Sequence, residues 1–250
     1  MNDNRKIGIF DSGIGGVTVL KEIVKVLQSE DYIYYSDSKN NPYGDKSDNE
    51  IMNICDNIVK FFIKNDCKAI VIACNTASTK VADRLREKYL NIQFVAIEPA
   101  YKMVYDYAYE KSTLIMATKG TIESEKFNIL YNKFNNYKTY LLECVRLADI
   151  IESGEKKKIK EYLNDNIGKY KKKVQNVVLG CTHYPLIQNE IKDTLGNVTF
   201  FNGSYRLAIH LKEILEKNKM IGKNEGKIEF IDSQRLKRKE ERFYKILENR

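Results

Sequence analysis

The sequence predicts an α/β fold built as two pseudo-symmetric α/β domains with mostly parallel sheets. Three observations carry that expectation. Short, continuously apolar runs alternate with segments of helical period. Each run stops at Gly, Asp, Ser, Glu or Cys or just before Thr. One offset of 107 residues superimposes several of these stops. Strands that are apolar on both faces need cover on both faces, and parallel sheets joined by crossover helices supply it. In such folds ligands collect outside the carboxyl ends of the strands, so the active site is expected in the cleft between the domains.

The elements follow in order. KIGIF at 6–10 reads as a strand, then DSGIGG as a turn, then VTVLKEIVKVL at 17–27 as a helix. DYIYY at 31–35 runs into SDSKNNPYG. KAIVIA at 68–73 runs into CNTAS and the helical KVADRLREKY. STLIMA at 112–117 precedes TKGTIES and KFNILYNKF. TYLL at 139–142 precedes ECVRLADIIES. NVVL at 176–179 precedes GCTHYP and LIQNEIKDTL.

The repeat divides the chain. VIAC at 71–74 falls on VLGC at 178–181, IFDSG at 9–13 on MATKG at 116–120, and YYSDS at 34–38 on LLECV at 141–145. The first domain is therefore expected at 1–98 and the second at 99–205. The remainder, 206–250, is expected to pack back on the first.

Composition narrows the function. The chain has 250 residues, 43% hydrophobic and 30% charged, with 13 Gly and 3 Pro. A disordered tail would be poorer in apolar residues and a collagen far richer in Gly. No apolar run nears the roughly 18 residues of a membrane span, and the start has no secretory h-region. The net charge of +8 is concentrated: 155–173 carries +5 and 235–250 carries +4. Both runs read as solvated helix faces, and no groove-reading motif accompanies them, so no nucleic-acid partner is expected. Five cysteines, Cys55, Cys67, Cys74, Cys144 and Cys181, fit reduced thiols in the cytoplasm. With two histidines, no CxxC and no HExxH, no metal site is expected.

GIGG at 13–16 lacks the third glycine of a dinucleotide loop, since position 18 is Thr18. It does permit a tight turn and close approach of backbone amides to a ligand. The helix that follows would aim its positive end at an anion such as a carboxylate. ACNTAS at 73–78 puts Cys74 at a strand end and a helix start, a position that lowers a thiol pKa. GCTHYP at 180–185 repeats the arrangement with Cys181, and His183 lies two residues on. Cys55 and Cys67 read as inert apolar side chains. Three chemistries fit two such thiols. A redox pair would ordinarily be a CxxC. A Cys–His acyl intermediate would leave Cys74 without work. Two acid–base groups on opposite faces of one carbon would use both and invert a stereocentre.

FDSGIGG (10–16), NPYG (41–44), ACNTAS (73–78), IEPA (97–100), ATKGTIES (117–124) and GCTHYPLI (180–187) resemble the motifs of the aspartate/glutamate racemase superfamily. The likeness is closest to its glutamate racemase family and spans nearly the whole chain. It implies interconversion of L- and D-glutamate without cofactor, supplying D-glutamate for peptidoglycan, in a cytoplasmic homodimer. Cys74 would take the proton of the D-enantiomer and Cys181 that of the L-enantiomer. Asp11 would be the polar partner near Cys74, with Glu152 and His183 near Cys181. Substrate contacts would fall on Asp11, Ser12, Tyr43, Gly44, Asn75, Thr76, Thr118, Thr121, Thr182 and His183. The chain departs from the family's Cys-Pro where it reads CVRLADIIE (144–152), and from its late Asp-Ser-Gly where it reads FFNGS (200–204).

Overall fold

The protein is described from a computed structural model covering residues 2–135 and 138–248. Among the described residues nine strands form two sheets in which every pairing is parallel. The strands are β1 (Ile7–Asp11), β2 (Tyr32–Ser36), β3 (Ala69–Ile72), β4 (Gln93–Ala96), β5 (Thr113–Ala117), β6 (Thr139–Glu143), β7 (Asn176–Gly180), β8 (Thr199–Phe201) and β9 (Ile228–Asp232). The first sheet runs β4-β3-β1-β2-β9 and the second β8-β7-β5-β6. A shift of about 107 residues therefore carries β1 to β5, β2 to β6 and β3 to β7, in the same spatial order. The α/β fold class expected from the sequence is the one observed.

Helices cover the sheets: α1 (Val17–Val26), α2 (Asp48–Lys64), α3 (Asn75–Lys88), α4 (Tyr101–Ala108), α5 (Lys119–Ile122), α6 (Glu125–Phe134), α7 (Leu147–Ser153), α8 (Lys156–Ile167), α9 (Gln188–Leu195), α10 (Ser204–Lys217) and α11 (Lys237–Glu248). Alternation within β1 explains the layering. Ile7 and Ile9 face a core shared with α1, α10 and α11, while Phe10 faces the core under α2 and α3. The second sheet is likewise sandwiched between two apolar clusters. None of the helices among the described residues is long and apolar enough to cross a membrane.

Three strands escaped the sequence reading. β4 and β8 have four and three residues, start on polar Gln93 and Thr199 and are only partly buried, so they give no continuous apolar run. β9 carries Glu229 and Asp232 at the rim of its sheet. It pairs with β2, and α10 packs on α1, so the chain after residue 203 returns to the first sheet. The two basic runs also differ. All eight lysines of 155–173 are exposed, as expected of a solvated face, whereas 235–248 is anchored by fully buried Phe243. Asn249 and Arg250, the end of that run, lie outside the described residues.

Candidate active site

The glycine turn after β1 is folded around the chain's own carboxylates. Gly13 N–H and Gly16 N–H donate to Asp11 Oδ2 at 3.2 and 3.0 Å, and Ile14 N–H donates to Glu152 at 3.3 Å. The anion at the start of α1 is thus Asp11 itself. Asp11 is fully buried, and burial is the main reason its carboxyl lies above the usual range. The missing side chains of the turn make room for the opposite half. A Cβ on Gly13 would lie 2.8 Å from Glu152 Oε2, and one on Gly15 would lie 2.5 Å from His183 Nδ1.

Cys74 caps the N-terminus of α3, directly after β3. Its thiol donates to Ser12 Oγ at 3.8 Å. The helix-start position was expected to lower its pKa, and the structure corrects this. Burial, then the charge of Asp11, push the thiol up to about 12; the Ala77 N–H pulls the other way and is outweighed. Desolvation disfavours the thiolate more than one helix terminus favours it. Asp11 reaches Cys74 only through this charge effect; its side-chain partner is Thr182, whose hydroxyl donates to Oδ1 at 3.2 Å.

Cys181 follows β7 without capping a long helix. The turn after it is a 3-10 segment, Tyr184–Ile187, with Pro185 in its first turn, and α9 starts only at Gln188. His183 takes over the electrostatic role. Its Nδ1 lies 3.7 Å from Cys181 Sγ, and its Nε2 is 2.6 Å from Glu152 Oε2. Burial alone would lower the imidazole's pKa, but the contacts to Cys181 and Glu152 hold it well above the usual value. Glu152 shows the complement: burial would raise it, yet His183 and Lys239 hold it down at about 2. The two form an ion pair behind Cys181. Lys239 of α11 donates to Glu152 Oε1 and to Ser38 Oγ, each at 2.6 Å.

One cavity lies between the sheets' carboxyl ends. Ser12, Tyr43, Gly44, Cys74, Asn75, Thr76, Thr118, Cys181, Thr182 and His183 all line it. Asp11, Glu152 and Thr121 stand behind that lining. Thr121 bonds Thr76 and Thr118, and these three hydroxyls form a ring across the two halves at 2.8 to 3.3 Å. The Tyr43 hydroxyl is turned away onto Asp37 Oδ2 at 2.6 Å. The sequence reading missed Lys119, Arg146 and Asp149 at the wall, and Cys144, whose thiol burial pushes up to about 12. The signal for Cys144, Arg146 and Asp149 was present as the unusual CVRLADIIE stretch, and Lys119 lies inside the ATKGTIES motif. Cys55 and Cys67 are buried away from the cavity wall. The arrangement sets a buried thiol on one wall, a thiol beside an imidazolium on the other, and hydroxyl and amide donors between them. Such an arrangement is chemically able to move a proton at a small anionic molecule.

A family model for Asp/Glu/hydantoin racemases matches residues 7–204. The glutamate racemase of Clostridium acetobutylicum is 42% identical over 236 residues, 92% of each chain. The crystal structure of glutamate racemase from Francisella tularensis in complex with D-glutamate matches with a TM-score of 0.83 and 30% identity, covering 99% of this chain and 95% of that one. The Escherichia coli glutamate racemase in complex with L-glutamate and the activator UDP-MurNAc-ala matches with a TM-score of 0.77 and 30% identity, over 85% and 83%.

Proposed function

Since the chain belongs to the Asp/Glu/hydantoin racemase family, we propose that it interconverts L- and D-glutamate by passing protons between two cysteines and one carbon, without a cofactor. The observation that carries this reading is that Cys74 and Cys181, from matching ends of β3 and β7, line the same cavity. The relatives named for glutamate support the choice of substrate.

With L-glutamate bound, the Cys181 thiolate takes the α-proton. The C–H electron pair passes to the α-carbon and its carboxylate. The Cys74 thiol then gives its own proton to the opposite face, leaving Cys74 as thiolate and Cys181 as thiol. That second form accepts D-glutamate, and the steps run in reverse. Two features support this division. The Cys74 thiol, near 12, keeps its proton at neutral pH and so waits as a donor. The His183 imidazolium, paired with Glu152, sets its Nδ1 3.7 Å from Cys181 Sγ, a cationic partner on that face of the site. Ser12, Asn75, Thr76, Thr118 and Thr182, with the backbone at Tyr43 and Gly44, would hold the two carboxylates and fix the α-carbon between the sulfurs, while Thr121 orients Thr76 and Thr118 from behind. D-glutamate made this way would serve peptidoglycan synthesis, in the cytoplasm and in a homodimer.

The test is chiral analysis of the purified protein with L-glutamate, and separately with L-aspartate, in deuterated water. L-glutamate should approach an equal mixture of enantiomers with deuterium at the α-position, and Cys74→Ala and Cys181→Ala should each abolish conversion. No conversion of glutamate, or an active double variant, would refute the reading.

A further inference from the structure

We infer that Lys239, on the C-terminal helix α11, is a positioning residue for the Cys181 face of the site, acting through Glu152 and His183. The inference rests on the proposed two-thiol reading and adds to it a residue 87 positions from Glu152 in the chain. The contacts form one unbroken line. Lys239 Nζ donates to Glu152 Oε1 at 2.6 Å, Glu152 Oε2 meets His183 Nε2 at 2.6 Å, and His183 Nδ1 faces Cys181 Sγ at 3.7 Å. Each carboxylate oxygen therefore has its own cationic partner, and the carboxylate cannot turn without breaking one of them. Side-chain exposures of 15% for Lys239 and 10% for Glu152 take this pair out of the class of solvated surface bridges.

The helix that brings Lys239 is itself fixed. Phe243 is fully buried against Tyr34 and Phe230. Arg242, on the same face of α11, donates to the Ile151 carbonyl at 2.8 Å and also to that of Glu152, gripping the end of α7. Lys239 also donates to Ser38, which in turn bonds Asp232 at the end of β9. The first sheet thus reaches across the cleft and sets the orientation of a residue of the second half.

The charges facing this line are few. Glu152 faces His183, Lys239, the Arg242 guanidinium on its own carbonyl and, at longer range, Asp11 and Tyr34; Cys181 faces His183 and, at longer range, Cys74, Cys144 and Tyr184; Lys239 also has Asp232 behind Ser38. Removing the Lys239 cation leaves the group more negative and frees the Glu152 carboxylate to turn, so His183 is held less firmly against Cys181 and the sulfur should react more slowly. Cys74 has no direct contact with this line, only longer-range charge effects through Asp11 and Cys181, and should respond far less.

Site-resolved alkylation tests this. Wild-type, Lys239→Met and Lys239→Arg proteins are treated with iodoacetamide across pH, and each cysteine peptide is quantified. In Lys239→Met, alkylation of Cys181 at neutral pH should slow several-fold relative to wild type. Its pH profile should move to the alkaline side, Cys74 should stay within about twofold, and Lys239→Arg should recover most of the rate. Should Lys239→Met melt early, Lys239→Gln replaces it, keeping a donor to both oxygens without the charge. Wild-type Cys181 reactivity in the uncharged variant, or equal slowing of both thiols, overturns the inference. The readout needs no turnover. A chain that failed to racemise glutamate yet showed selective slowing at Cys181 would refute the proposed function and leave the positioning role intact.

Discussion

Gly15 meets His183 and Thr182 across the cleft at a distance no side chain tolerates. A Cβ there would sit 2.5 Å from His183 Nδ1 and 2.7 Å from Thr182 Oγ1. Either the turn or the imidazole must move, and the imidazole is the part aimed at Cys181. Gly15→Ala is therefore expected to lower kcat/KM by about 10²-fold, the penalty for a catalytic group displaced by an ångström. Its stability loss should stay within the about 1–3 kcal/mol usual for overpacking. Initial rates with both enantiomers and urea denaturation check this; a variant with wild-type rates would mean that His183 is not held by the turn. Residues of this kind were half-legible in the sequence. Cys74 and Cys181 stood out because the same small-residue context recurs at two strand ends. What the glycines make room for was not legible, since Glu152 and His183 come from the other half. Lys239 lay hidden in a basic run, because composition does not tell a solvated lysine from one folded back onto a carboxylate.

Among the elements, β9 and the loop leading to it owe their place to a buried ion pair. Lys68 Nζ donates to Glu30 Oε2 at 2.6 Å and to the carbonyls of Asp3 and Met220, with neither charged side chain more than 1% exposed. Gly222 N–H donates to the other oxygen of Glu30. One lysine thus joins the N-terminal segment, the start of β3 and the loop before β9. Lys68→Met leaves a buried carboxylate with one amide donor and two carbonyls unpaired, and is expected to cost about 3–5 kcal/mol. The double variant Lys68→Met/Glu30→Leu should cost less than the single one, because no uncompensated charge remains. Urea midpoints measure both, and a double variant weaker than the single would sink the account. This also shows why elements differ in legibility. The strands β1, β3, β5 and β7 are buried along their whole length and read as apolar runs. β9 is held in part by a contact made elsewhere, through Lys68, and its own residues give little sign of it.

At the scale of the whole molecule, the two halves are joined at one edge and latched at the other. The chain crosses between them after β4 and again after β8, and the crossings touch: a Cβ on Gly203 would lie 2.5 Å from the Glu98 carbonyl oxygen. At the opposite rim, near β9, Lys239 and Arg242 reach the end of α7. Between them run polar contacts, Thr182 on Asp11, Thr18 on the Thr182 carbonyl and the threonine ring, beside Leu186, which packs against the first half's core. A seam of hydrogen bonds opens at less cost than an apolar one, since water can replace each partner. The crossings are then the natural pivot, and their spacing sets how the thiols face each other. Gly203→Ala should push the crossings apart, with a cost of about 1–3 kcal/mol. It should also lower kcat/KM, although neither thiol is touched. Enantiomers have equal free energy in water, so the two directions must lose the same factor. Gly168→Ala, at a glycine with nothing within 4 Å of its would-be Cβ, serves as the control. If Gly203→Ala racemises and unfolds like that control, the pivot lies elsewhere; if it loses rate equally from L- and D-glutamate while Gly168→Ala does not, the contact between the crossings governs the geometry of the cleft.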